Sequence, residues 1–98
     1  MAAYIATIKF TQQGLKAIAD SPSRAAAFRS AAQKMGVSVT GQYWTLGAFD
    51  GVIFFEAPND EAATAAMLHL DALGNVQTTT ARAFTAAEMQ EILGLVSQ

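Results

Sequence analysis

Asp50, Lys9, Arg82 and Trp44 are the residues of this 98-residue chain whose types and surroundings best suit chemistry. Asp50 follows Gly47-Ala48-Phe49 and precedes Gly51. A carboxylate at such a reversal can act as a base or orient a polar ligand. It can equally accept backbone N–H bonds, which is the commoner role of Asp in a turn. Lys9 and Arg82 are charged residues within apolar or Thr-rich stretches. They could converge on one rim and hold a small anionic or carbonyl-bearing molecule. They could also snorkel at strand ends, or bridge to Asp50 or Glu56 of a second subunit, the strand register deciding between these. Trp44 and Tyr43 are adjacent on a strand and point to opposite faces, so at most one of them lines any given cavity.

Other residue types carry less. His69 is the only histidine and lacks partners at ligand spacing on its helix, which favours a half-exposed helix position over a metal or acid-base site. Thr78, Thr79 and Thr80 can line a polar cavity, but none has an adjacent base to make it a nucleophile. With no cysteine, thiolate sites and disulfides are excluded. No metal or cofactor is expected. Gly47 and Gly51 lie outside any phosphate-binding pattern and suit positive φ or close backbone approach.

The elements that position these residues can be read from period and punctuation. Ala3 to Phe10 alternates as a strand, with Tyr4, Ala6, Ile8 and Phe10 on one face. A helical region follows in two parts divided at Ser21-Pro22, with Ser21 the expected N-cap and Gly36 the expected C-terminal stop. Its core face is Ala25, Phe28, Ala32 and Met35. Val37 to Leu46 and Asp50 to Ala57 read as two strands of a hairpin, joined through Gly47, Ala48 and Phe49. Pro58-Asn59-Asp60-Glu61 opens a helix whose stripe is Ala62, Ala66, Leu70 and Leu73, ending at Gly74. Val76 to Phe84 is a fourth strand. Thr85-Ala86-Ala87-Glu88 has capping-box spacing, ahead of a helix with Met89, Ile92, Leu93 and Val96 on one side.

This order, β-α-β-β-α-β plus a C-terminal helix, predicts a single α+β domain of the ferredoxin-like split βαβ type. Val52 and Phe54 alternate with Ile53 and Phe55, so both sheet faces are apolar, and two crossover helices cover only one. The chain is 52% hydrophobic and 14% charged, against about 25% charged for an ordinary soluble domain. A second copy of the chain is the expected cover. Net charge of −2 and scattered Lys and Arg leave no footprint for nucleic acid or an anionic membrane. Asp50 and Val52 flanking Gly51 also depart from the basic and aromatic residues of an RNA-recognition strand. Met1-Ala2-Ala3-Tyr4 lacks the start of a secretion signal and no run suffices for a membrane span, so a cytoplasmic location is expected.

The segment Gln42 to Pro58, with Gly47-Ala48-Phe49-Asp50 at its centre, closely resembles the signature of the GYD-domain family of small bacterial proteins. Phe49 stands where the motif would supply a Tyr. The resemblance extends to Tyr4-Ile5-Ala6-Thr7-Ile8-Lys9-Phe10-Thr11, to Leu73-Gly74-Asn75-Val76 and to Arg82-Ala83-Phe84-Thr85, and so spans nearly the whole chain, residues 1–98 forming one domain. It implies a dimeric α+β barrel in which two sheets face each other. The expected function is a homo-oligomeric module for small-molecule binding or assembly. The alternative is a small cofactor-independent barrel enzyme, oxygenase- or isomerase-like, with a pocket near Asp50.

Overall fold

In a computed structural model that describes residues 1–97, β1 (Ala2–Phe10) leads through the short helix α1 (Gln12–Lys16) and a 3-10 turn at Ile18–Asp20 into α2 (Ser21–Lys34). Then come β2 (Ser38–Trp44), β3 (Gly51–Ala57), α3 (Asp60–Ala72), β4 (Val76–Ala83) and α4 (Ala86–Val96). The strands form one antiparallel sheet in the order β2-β3-β1-β4. This is the ferredoxin-like α+β arrangement anticipated from the element order, with the extra helix at the end.

Alternation in β1 and β3 sends Tyr4, Ala6, Ile53, Phe55 and Ala57 to one face, where Phe28 and Ala32 of α2 and Ala63, Ala66 and Met67 of α3 close the core. Phe55 lies at the centre, fully buried and stacked on Tyr4 with ring centroids 5.2 Å apart. The buried stripe of α3 is therefore Ala63, Ala66 and Met67 with Ala62 and Leu70 beside it, and Leu73, expected inside, is 55% exposed. Leu73 is the helix's C-cap, past the last turn that rests on the sheet.

Helix ends follow local chemistry with one exception. Asn59 accepts the N–H of Ala62 and Thr11 that of Gly14, and Gly36 and Gly74 take positive φ after α2 and α3. Ser21 is not the N-cap of α2; Asp20 stands there without a side-chain cap bond. The Ser21 hydroxyl instead accepts the Trp44 indole N–H at 2.9 Å. A tertiary hydrogen bond has displaced the local one.

A bulge at Thr40 changes what β2 presents. Val39 pairs with Phe55 but Gly41 pairs with Phe54, so Gln42 and Trp44 face the helices while Gly41 and Tyr43 face away. The face away from the helices carries Ile5, Val52, Phe54 and Tyr43 with Thr7 and Thr79, in the rows Phe54–Ile5–Ala81 and Tyr43–Val52–Thr7–Thr79. Tyr43 meets Phe54 edge to face at 6.0 Å, and the two are 59% and 38% exposed.

The capping box of α4 forms as its spacing predicts, the Glu88 carboxylate accepting the Thr85 N–H and the Thr85 hydroxyl accepting the Glu88 N–H. No residue of α4 is buried. The helix projects from the body, and the molecule extends 53 Å along its long axis with a radius of gyration of 14.9 Å, against about 13 Å for a compact chain of this length.

Candidate functional site

Asp50 ends the β2–β3 connection, where its N–H donates to Ile8 O at 2.8 Å and its carbonyl accepts the Thr45 N–H at 3.0 Å. Its Oδ2 accepts the backbone N–H of Phe10 at 2.8 Å and lies 4.0 Å from the Lys9 ammonium. Lys9 also donates to Ala48 O in the same connection. The carboxylate thus fastens the hairpin mouth to the end of β1. Its partner N–H comes from another strand and not from the turn itself.

The glycines of the motif separate by mechanism. Gly47 has φ of 123°, a conformation L side chains rarely adopt. A Cβ on Gly51 would lie 2.9 Å from the Tyr43 carbonyl oxygen, so close approach of β2 explains it. Phe49 is exposed at the tip, and its carbonyl accepts the Thr45 hydroxyl.

Arg82 belongs to a different place. Lys9 pairs with Gln77 whereas Arg82 pairs with Tyr4, five residues along β4, which puts the two about 17 Å apart along the strand and on opposite sheet faces. They form no common rim within a subunit. The Arg82 guanidinium lies over the rings of Tyr4 and Phe84, donates to the carbonyls of Ala3 and Ala83, and pairs with Glu88 at 3.3 Å. Tyr4 in turn donates to the Asp60 carboxylate at 2.5 Å, a bond that holds its phenol above the ordinary tyrosine range. Glu88 is held below the ordinary carboxylate range, first by the Thr85 N–H and then by Arg82. This cluster joins β1, β4, α3 and the first turn of α4.

Trp44 reaches the cavity that the sequence could not locate. Between α2, α3 and the helix-facing side of the sheet lies a space of about 160 Å³, walled by Ile8, Phe10, Phe28, Ile53, Leu70 and Val76. Trp44 and Gln42 close one side, and Asp50, His69, Arg24 and Asn75 also line it. Gln42 is held by the Ala25 carbonyl at 3.0 Å and by Arg29 at 3.2 Å. Sequence reasoning missed Arg24, Gln42 and Ser21; the bulge at Thr40, which aims Gln42 inward, has no signature in residue type. His69 is an exposed helix residue bordering this cavity. Thr78 donates to the Asp71 carboxylate at 3.0 Å, so this hydroxyl is already committed.

A four-stranded antiparallel sheet with both crossover helices on one face, and a carboxylate-pinned hairpin at one end, defines a ferredoxin-like α+β domain. The chain belongs to the GYD domain family, whose model matches residues 4–93. A protein of Thermus thermophilus, named glutamine synthetase and cystathionine beta-lyase binding protein, is 31% identical to it over 90 residues, covering 91% of this chain and 95% of the relative. No solved structure matches. Among the described residues no helix is long and apolar enough to cross a membrane.

Proposed function

We propose that this chain is a homo-oligomeric assembly module, built on a dimer in which two open sheet faces meet and each α4 lies on the partner. The carrying observation is surface. The chain exposes 6241 Å², whereas a monomer of its 10.3 kDa mass would expose about 5400 Å². The excess is close to the ~800 Å² that each partner buries in an interface of standard size. Exposed apolar side chains lie on the surfaces the dimer would cover: Tyr43 and Phe54 on the sheet, and Phe84, Met89, Leu93 and Val96 on and beside α4.

The assembled dimer works in the cytoplasm by docking onto metabolic enzymes, a reading supported by the name of the Thermus relative. A base-catalysed barrel enzyme is less well supported, because the Asp50 Oδ2 is already taken by the Phe10 N–H and Lys9. Light scattering after gel filtration at low micromolar concentration tests the oligomer. Twice the 10.3 kDa chain mass or a multiple of that is expected, and a cooperatively melting 10.3 kDa species would refute it. Biosensor measurements with purified glutamine synthetase and cystathionine beta-lyase of the same organism test the docking. Saturable binding to either is expected; binding to neither would leave self-assembly as the whole function.

A further inference from the structure

The cavity between α2, α3 and the sheet goes beyond the assembly reading. An apolar cavity of about 150 Å³ lined by Leu, Ile and Phe stays dry and holds a benzene-sized ring. The present one is a cleft with one side open, of comparable volume at about 160 Å³, and its walls of Ile8, Ile53, Phe28, Leu70 and Val76 are likewise apolar. Its polar border differs from that of a plain void. Arg24 lines it, and among the described residues this guanidinium donates only to the carbonyls of Ala17 at 2.7 Å and Gly14 at 3.4 Å. Among the described residues no carboxylate lies within ion-pair distance of it. Arg24 therefore keeps donors and a full charge that the fold does not neutralise, since a guanidinium has five N–H groups.

Among the described residues the one carboxylate on the cavity border does not oppose an anion freely, because Asp50 is held by the Phe10 N–H and faces the Lys9 ammonium. Trp44, tied back to Ser21, supplies a flat wall. We infer that this cavity is a binding site for a small aromatic monocarboxylate, its ring among Ile8, Phe28, Ile53 and Leu70 and its carboxylate paired with Arg24. Arg with a carboxylate is a charge-assisted and geometrically selective pair, and the apolar walls supply the remaining affinity.

Benzoate and its neutral counterpart benzyl alcohol are suitable probes, and Trp44, the only tryptophan, reports on both by fluorescence. Benzoate should bind saturably and at least tenfold more tightly than benzyl alcohol. Arg24→Gln should weaken benzoate about tenfold or more, the worth of a hydrogen bond to a charged group, and leave benzyl alcohol unchanged. Ala25→Leu, which fills the cavity from α2, should abolish both. Proton NMR adds a readout independent of folding in that variant, with contacts expected from the benzoate ring to the methyl groups of Ile8, Ile53 and Leu70 in the wild type. Absence of saturation up to about 20 mM would overturn the inference. So would equal benzoate affinity in Arg24→Gln, or undiminished binding in a folded Ala25→Leu. Each readout is made on the single subunit's cavity, so the outcome is independent of the dimer.

Discussion

Asp50 illustrates how a residue suited to catalysis is used for construction. Its Oδ2 takes the last N–H of β1, which would otherwise face the hairpin mouth without a strand partner. Asp50→Ala should cost about 1–3 kcal/mol in chemical denaturation, the usual penalty for leaving such a donor unpaired. Asp50→Asn keeps an acceptor and loses only the exposed Lys9 interaction, so it should recover most of that loss. Equal destabilisation by both would make the charge and not the hydrogen bond the holding element. Trp44 makes the same point from another side: its indole N–H is satisfied by Ser21, which frees the ring to act as a wall.

At the scale of the element, the side-chain bonds that tie α4 to the sheet among the described residues lie at its first turn. Glu88 supports it through the capping box and the Arg82 pair, and both depress its carboxyl pKa in the folded state. A depressed carboxylate contributes stability that is present above its unfolded value of about 4.3 and lost as the pH falls through the lower folded value. The helix should therefore lose helicity from its N-terminal end below about pH 4, ahead of the sheet. Backbone chemical shifts of Ala86 to Val96 across an acid titration give the measurement. In Glu88→Gln the cap geometry persists without the titrating group, so the transition should vanish and helicity at neutral pH should be lower. An acid transition that survives this substitution would assign it to another group.

For the whole molecule, the sheet face and α4 pose one question, namely what covers them. Phe54 stands near the middle of the open face, beside Ile5 and against Tyr43. Phe54→Lys should leave the folded subunit intact, because its side chain lies outside the core, while converting the proposed dimer to a monomer in light scattering. Removing the residues after Phe84 should likewise cost the proposed oligomer or bring aggregation, because it strips the exposed apolar side chains of Met89, Leu93 and Val96 that the partner would cover. A Phe54→Lys protein with unchanged mass would move the interface off the sheet face.

Element order was legible in the sequence because it rests on local physics. Period-2 alternation in Tyr4-Ile5-Ala6-Thr7-Ile8, the Gly36 and Gly74 stops and the Thr85–Glu88 box act within one turn or strand, and each recurs in the structure. The two faces of β3 were legible for the same reason. Non-local contacts were not. Register separated Lys9 from Arg82, a bulge at Thr40 turned Gln42 and Trp44 toward the helices, and Trp44 took the Ser21 hydroxyl away from its expected cap. Gly14 belongs with these, since a Cβ there would lie 2.0 Å from the Asn75 carbonyl oxygen, a neighbour sixty-one residues along the chain. The cavity and its Arg24 border likewise arise where α2 and α3 come to rest on the sheet, which side-chain volumes from three distant segments decide together.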